Sequence, residues 1–235
     1  MTENVAAQPP AVQDKLRDVL RSETRPLDAL FEPASVALIG ATEREGSELP
    51  QPAIRPYPAQ YAVPWTMKDG TAVTLRPIRP EDEPLMVKFH AALSERSVFL
   101  RYFQWSKLSQ RVAHDRLRRI CFIDYDRDMA LVADHTSPET GEHEILAVGR
   151  LSKLHGGSTA EMALLVRDQY QRLGLGVELL RRLIQVARDE HLDSMQAYLL
   201  RDNVEMRGLV EKLGFHLEPA DETGVHLAFL NLKSV

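Results

Sequence analysis

The chain has 235 residues and a formal net charge of -5, with 44% hydrophobic and 27% charged residues. This composition is typical of a globular protein of one to two domains. An acidic chain lacks a general attraction to nucleic acid, and no apolar run approaches the ~18 residues of a membrane-spanning helix. Residues 1–13 lack the basic and apolar segments of a secretion signal, and the single cysteine excludes an intramolecular disulfide. We therefore expect a cytoplasmic protein with neither nucleic acid nor membrane as a partner.

The first part of the chain differs in character from the rest. Apolar residues at helical spacing predict a short amphipathic helix over 12–20, and the apolar segment 35–41 predicts a strand that ends at a glycine turn. Residues 48–64 contain five prolines, which lack a backbone donor and stiffen the chain. We therefore predict an N-terminal region over 1–47, a proline-rich linker over 48–64 and the main domain over 65–235.

The main domain has a mixed α/β pattern, in which short apolar runs predict strands and longer amphipathic runs predict helices. The predicted strands are 71–77, 129–133, 145–152, 159–166, 195–200 and 225–232. The predicted helices are 81–92, 94–103, 110–120, 171–190 and 203–213. Gly214 follows the last helix, in the usual position of a C-terminal glycine.

A glycine-containing turn joins the strand 159–166 to the longest helix. Residues 171–176 read Gln-Arg-Leu-Gly-Leu-Gly. Glycines at 174 and 176 allow the backbone to approach a ligand closely, because no Cβ intervenes. The first amides of a helix have no intrahelical acceptor and lie at the positive end of its dipole. The turn therefore predicts a pyrophosphate site, although the glycines alone are equally compatible with a tight turn that binds nothing.

Three blocks of the sequence, which follow each other along the chain in the family's order, resemble the GNAT superfamily of N-acetyltransferases. They are the motif Q-x-x-G-x-G at Gln171, Gly174 and Gly176, the block 203–215 that ends in Lys-Leu-Gly-Phe, and the block 75–82. The resemblance implies an α/β (α+β) fold with a central mixed, mostly antiparallel sheet of about six to seven strands. This sheet is flanked by helices and splayed where acetyl-CoA, the co-substrate, binds.

The same resemblance implies which residues contact acetyl-CoA. Backbone bonds to the pantetheine arm are assigned to Leu165, Val166 and Arg167, and the pyrophosphate turn comprises Gln171, Arg172, Leu173, Gly174, Leu175 and Gly176. Asn203 is a further candidate for holding the cofactor or a loop, but a helix N-cap explains it equally well.

A narrower resemblance concerns residues 93–97 and 100–103, which look like the acetyltransferase domain of bacterial protein lysine acetyltransferases. That domain is often fused to an NDP-forming acyl-CoA synthetase-like region, and residues 30–42 resemble the first strand and turn of its CoA-binding domain. The match ends near Ser47. Because one strand cannot form a nucleotide-binding sheet, we expect a remnant that binds no nucleotide and does not gate catalysis.

Glu161 is the candidate general base. A lysine side chain has a pKa near ~10.4 and must lose a proton before it attacks a thioester. The resembling lysine acetyltransferases carry their catalytic glutamate in an Ala-Glu-x-Ala segment, which matches 160–163. Alternation along a strand places Glu161 and Leu165 on one face and Met162 on the other. An exposed glutamate without a role is the alternative.

The general acid of many relatives is missing. The family's tyrosine precedes the Glu-Lys-Leu-Gly-Phe segment, and that position is Val210 here. The leaving thiolate therefore departs as such or takes its proton from water. Tyr198, on the preceding strand, is interpreted as part of the core or of the channel wall.

The remaining titratable residues predict no further chemistry. Cys121 lies in an apolar context and is expected to be a buried, inert thiol. The histidines are scattered without metal-ligand spacing, so we expect no metal. The basic cluster Arg116, Arg118 and Arg119 is expected to be a solvated helix face, or else a contact for an acidic patch on a protein substrate.

Three functions remain open. The favoured one is acetyl transfer from acetyl-CoA to a protein lysine, with acyl-CoA synthetases as targets by resemblance. The second is acetylation of a small amine. The third is a non-catalytic acyl-CoA-binding sensor, which the retained glutamate and glycine turn disfavour.

Overall fold

The computed structural model describes residues 55–154 and 158–233. The predicted helix 12–20, the predicted strand 35–41 and the first part of the predicted linker lie outside these residues. The linker residues 55–64 contain a single turn of 3-10 helix, Ala59–Tyr61, and the start of the first strand. None of the helices in the described ranges has the length and apolar character needed to cross a membrane.

In residues 55–154 and 158–233, eight strands form one open sheet. They are β1 (Val63–Thr66), β2 (Ala72–Pro77), β3 (Asp128–Thr136), β4 (His143–Lys153), β5 (Thr159–Val166), β6 (Ser194–Leu200), β7 (His216–Pro219) and β8 (Val225–Asn231). Their order is β1-β2-β3-β4-β5-β6-β8-β7. Only β5 and β6 pair in parallel, and the other neighbours are antiparallel. The predicted mixed, mostly antiparallel sheet is confirmed, with β1 and β7 as two edge strands that the sequence patterns did not predict.

Among the described residues, six α-helices accompany the sheet. They are α1 (Glu83–Ala91), α2 (Glu95–Tyr102), α3 (Leu108–Arg111), α4 (His114–Cys121), α5 (Leu175–Asp189) and α6 (Val204–Lys212). The predicted helix 110–120 is wrong in outline, because the structure has α3 and α4 on either side of a break at Val112 and Ala113. The predicted start of the long helix at Gln171 is also too early. Arg172 and Gly174 have φ angles of 63° and 90°, in the left-handed region that a right-handed helix excludes.

Two hydrophobic cores lie on opposite faces of the sheet. Leu179 and Leu183 of α5 are fully buried against one face, and Phe89 of α1 and Leu117 of α4 are buried against the other. Each such side chain contributes about 1.5–3 kcal/mol by leaving water. A Cβ on Gly149 of β4 would lie 2.6 Å from Leu179 Cδ2, so this glycine allows α5 to pack closely on the sheet.

A buried ion-pair network joins the sheet to the start of α1. Arg76 of β2 donates two hydrogen bonds of 2.7 Å to the carboxylate of Asp82 and one of 2.9 Å to Asp134 of β3. All three residues are buried, and buried charges are tolerated only when they are paired in this way. Two members of the block 75–82 therefore serve the structure, by fixing where α1 begins.

Candidate active site

The central strands β5 and β6 separate halfway along their length. They pair only where residues Thr159, Ala160 and Glu161 face Ser194, Met195 and Gln196. Beyond Glu161 a cleft of about 880 Å³ opens between them, bounded by β5, β6, α2, the glycine turn and α6. The splay that the resemblance implied is thus present, and Glu161 lies at its apex.

Beyond Glu161 the strand β5 presents to this cleft a backbone edge that β6 leaves free, although the Val166 carbonyl accepts from Gln171 Nε2. The Arg167 amide donates to the Leu146 carbonyl of β4 over 2.9 Å. Backbone groups alternate in direction along a strand. The amide and carbonyl groups of Leu164 and Val166 therefore point away from β4, toward the gap. Such an edge can bond an extended chain. Of the three residues that the resemblance implies for bonding the pantetheine arm, only Val166 has its backbone groups directed toward the cleft. Leu165 lines the cleft, while its backbone faces β4.

The glycine turn closes one end of the cleft. Gly174 is the N-cap of α5 in a left-handed conformation, and the first amides of α5 lie beyond it without intrahelical acceptors. A Cβ on Gly176 would lie 3.0 Å from Leu209 Cδ1 and 3.3 Å from Leu164 Cδ2. A larger residue there would crowd the contact between α6 and β5. The geometry suits an anion at the positive end of α5.

The predicted cofactor residues divide into two groups. Those that line the cleft are Leu165, Val166, Gln171, Arg172, Gly174, Gly176 and Asn203. Arg167, Leu173 and Leu175 are not among the lining residues. The Arg167 side chain pairs with Glu144, and Leu175 is fully buried in the core, so these side chains serve the scaffold.

A hydrogen-bond network fixes the turn against α2. Gln171 Nε2 donates to the Val166 carbonyl over 3.1 Å and to Ser97 Oγ over 3.2 Å. Ser97 in turn donates to Asp168 over 2.8 Å, and Asp168 accepts two further bonds from the Ser94 backbone and hydroxyl. Burial acts to raise the pKa of Asp168, but the bonds from Ser94 and Ser97 outweigh it and lower that pKa. The sequence analysis missed Asp168 as a site residue, because its partners are over 70 positions away.

Glu161 occupies the junction of three strands. Its Cα lies opposite Ser152 of β4 and Gln196 of β6, and its side chain is partly exposed in the cleft. The guanidinium of Arg101, from α2, is close enough for the two charges to interact. Burial lowers the pKa of Arg101, while Glu161 acts in the opposite sense. Glu161 thus combines a fixed backbone with access to the cleft, which suits a proton acceptor.

Three further expectations have clear outcomes. Val210 is fully buried, and as a valine it offers no proton donor at the family's tyrosine position. Tyr198 is 45% exposed and lines the cleft, which confirms the channel wall rather than the core. Asn203 Oδ1 accepts from the Met206 amide over 3.2 Å, and this N-cap accounts for the residue while leaving it on the cleft wall.

Outside the cleft, the interpretation of the basic cluster needs correction. Arg118 and Arg119 are exposed as predicted, but the Arg116 guanidinium lies 4.9 Å from the centre of the Tyr102 ring. Cys121 is 1% exposed, and burial, followed by the charges of Asp82 and Glu83, raises the pKa of its thiol to about 12. Across residues 55–154 and 158–233, no group of three or more His, Cys, Asp or Glu could hold a metal ion.

An open mixed sheet whose central strands part beside a glycine turn and a helix start defines a GNAT-type domain. A family model described as acetyltransferase (GNAT) domain matches residues 72–216, and the chain belongs to this family of acetyltransferases. The acetyltransferase PA5475 of Pseudomonas aeruginosa is 32% identical over 162 residues, which cover 68% of this chain and 84% of that protein.

Solved structures show the same fold. The GNAT domain of S. lividans PAT superposes with a TM-score of 0.67 at 24% identity, over 75% of this chain and 99% of that one. The PaiA N-acetyltransferase of Thermoplasma acidophilum, solved in complex with coenzyme A, superposes with a TM-score of 0.53 at 14% identity. That match covers 68% of this chain and 98% of the other. At these identities the likeness concerns the fold alone.

Proposed function

We propose that this protein transfers an acetyl group from acetyl-CoA directly to a protein lysine side chain, with Glu161 as the general base. The observation that carries the proposal is the position of Glu161 at the last paired register of β5 and β6, where the cleft begins. The base is then held on rigid backbone beside the point at which an extended cofactor arm and an incoming amine would meet.

The other end of the cleft supports acetyl-CoA as the donor. An extended pantetheine arm can bond the free edge of β5 at Leu164 and Val166, as a further strand would. The pyrophosphate then reaches the glycine turn, where the first amides of α5 and the positive end of its dipole favour an anion. Gly174 and Gly176 line this part of the cleft and leave room for close approach.

Proton transfer and charge stabilisation account for the chemistry. The amine becomes nucleophilic when Glu161, directly or through water, takes its proton. Backbone amides on the free edge of β5 can stabilise the negative charge that develops on the carbonyl oxygen. Val210 offers no proton to the leaving thiolate, so we propose that the thiolate departs without a protein acid, as the sequence analysis expects.

The acceptor side of the cleft supports a protein lysine. The segment that resembles bacterial protein lysine acetyltransferases, 93–103, forms the N-terminal cap and body of α2. Leu100, Arg101, Tyr102 and Phe103 of this segment line the cleft. The exposed Trp105 ring stacks on Phe99 with 4.8 Å between centroids and extends an apolar surface just beyond this segment. By resemblance, acyl-CoA synthetases are the first targets to test.

The test compares wild type, Glu161→Gln and the control Glu222→Gln, which changes an exposed glutamate on the cleft wall. CoA release would be followed with acyl-CoA synthetases and small amines as acceptors, and acetyl-CoA binding would be measured by calorimetry. We expect Glu161→Gln to bind acetyl-CoA as wild type does and to lose about 10²-fold or more in kcat, the scale of general-base catalysis. The control should retain both properties.

Other outcomes would reject parts of the proposal. A kcat of Glu161→Gln equal to that of wild type would show that Glu161 is not the base. If small amines are acetylated and no protein is, the acceptor is a small amine instead of a protein lysine. Acetyl-CoA binding without turnover of any acceptor would favour a sensor.

A further inference from the structure

A group of arginines lies behind the acceptor side of the cleft. Arg101 of α2, Arg111 of α3 and Arg116 of α4 form this arginine cluster. The Tyr102 ring has Arg101 at 5.0 Å and Arg116 at 4.9 Å from its centre, and Arg111 donates to the His90 carbonyl over 2.9 Å. Arg101 and Tyr102 also line the cleft, so the cluster reaches the site through α2.

Among the described residues, no carboxylate forms an ion pair with the arginine cluster. In the described parts of the chain, none of its three members lies within 4.0 Å of an acidic side chain. The nearby Arg150, by contrast, pairs with Asp128 over 3.0 Å. Arg111 is buried and Arg101 and Arg116 are half-buried, and a charge held away from water is costly unless it is paired.

Buried nitrogens with no partner accompany this charge. His90 is 1% exposed and Arg111 is 6% exposed. Both ring nitrogens of His90, and Nε of Arg111 and of Arg116, are buried without a hydrogen-bond partner among the described residues. Native proteins leave few such groups unsatisfied. The two guanidinium nitrogens among them are donors only, and positively charged donors without a partner are what an anion-binding site provides.

We propose that Arg101, with the rest of the arginine cluster behind it, binds a carboxylate of the acetyl acceptor next to Glu161. The inference rests on the proposed transfer to an amine and specifies its substrate class: an amine that carries a nearby carboxylate. In a protein this is a lysine beside Asp or Glu, and among small molecules it is a free amino acid.

The charges around Glu161 support an anionic group on the acceptor. Glu161 interacts electrostatically with Arg101 and offers one negative charge against the three positive charges of the arginine cluster. A guanidinium binds a carboxylate through two parallel hydrogen bonds. Arg101 on one side and Glu161 on the other would then bind the two ends of a zwitterionic acceptor in the cleft.

The test uses acceptor pairs that differ in one carboxylate. A peptide containing Lys-Glu would be compared with the same peptide containing Lys-Gln, and free lysine with 1,5-diaminopentane, which is lysine without its carboxylate. For wild type we expect kcat/KM to be about tenfold or more higher for the carboxylate member of one pair, mainly through KM, as a charged hydrogen bond provides. The pair that shows the preference identifies whether a peptide or an amino acid supplies the carboxylate.

The variants are Arg101→Gln and the control Arg118→Gln, on the exposed surface of α4. Arg101→Gln should abolish the preference, measured as the ratio of kcat/KM between the two members of a pair, and the control should keep that ratio. If Arg101→Gln does not fold, Arg101→Lys retains the charge but loses the planar fork, and should reduce the preference.

Two results would overturn the proposal: no preference in wild type, or equal losses for both members of a pair in Arg101→Gln. If no acceptor is turned over, the proposed function fails by itself. Calorimetry with the Lys-Glu and Lys-Gln peptides in the presence of CoA then decides the anion site, and equal affinities would reject it.

Discussion

The buried histidine of α1 makes the stability of this protein depend on pH. His90 is 1% exposed, and burial lowers the pKa of its imidazole from ~6.5 to about 4, with the charges of the arginine cluster acting in the same direction. Between these two pKa values the unfolded chain binds a proton that the folded chain does not. The free energy of unfolding therefore rises with pH, and the contribution of His90 is lost as the pH falls below ~6.5.

The size of the effect follows from the two pKa values. Proton linkage at a single site gives a loss of about 2 kcal/mol between pH ~7.5 and pH ~5.0. This window lies above the range in which carboxylates with lowered pKa values, such as Asp168 and Glu190, take up protons. The change in stability across the window is therefore a measure of His90 with little contribution from these two acids.

Urea unfolding of wild type and His90→Gln at the two pH values measures this quantity. We expect the variant to lose about 2 kcal/mol less than wild type across the window, whatever its absolute stability. His216→Gln, in the exposed part of β7, controls for the loss of an imidazole at the surface. Equal losses for wild type and His90→Gln would show that His90 is not held neutral in the folded protein, and would refute the reasoning.

Two further predictions concern packing and reactivity. Gly149→Ala should destabilise the protein by about 1–3 kcal/mol, because its Cβ would lie 2.6 Å from Leu179 Cδ2. Gly208→Ala, with no atom within 4 Å of the added Cβ, should be neutral or stabilising by up to ~1 kcal/mol in α6. Thermal unfolding measures both variants, and a Gly149→Ala protein more stable than Gly208→Ala would contradict this packing. The Cys121 thiol, with its pKa raised to about 12 by burial, should react with a disulfide reagent at pH ~8 only after unfolding, and rapid reaction of the native protein would contradict its burial.

The strands and helices with strong local patterns were predictable. β5, predicted over 159–166, has those bounds in the structure, because its apolar residues end in a polar turn. β1 and β7 are four residues long, and β1 lies partly in the proline-rich segment. Their backbones form strands because β2 and β8 lie beside them, which no local pattern records.

For the glycine turn, the motif predicted the residues that line the cleft but not the backbone conformation. Gln171, Gly174 and Gly176 were identified from their spacing and line the cleft. The start of α5 was nevertheless placed too early, because apolar periodicity continues through residues whose backbone is left-handed. A pattern of side chains carries no direct information on the φ angles of Arg172 and Gly174.

The sequence by itself showed the glycine turn and the resemblance to the family, because both depend on short blocks of residues that are close together in the chain, and the resemblance implied the mixed sheet and the candidate base. The tertiary structure decided what meets in the cleft. Asp168 contacts Ser94 and Ser97 across more than 70 positions, and Arg101 and Glu161 approach each other only because α2 packs against β5. Charge and burial depend on such distant neighbours, so the arginine cluster and the neutral His90 became evident only in the folded molecule.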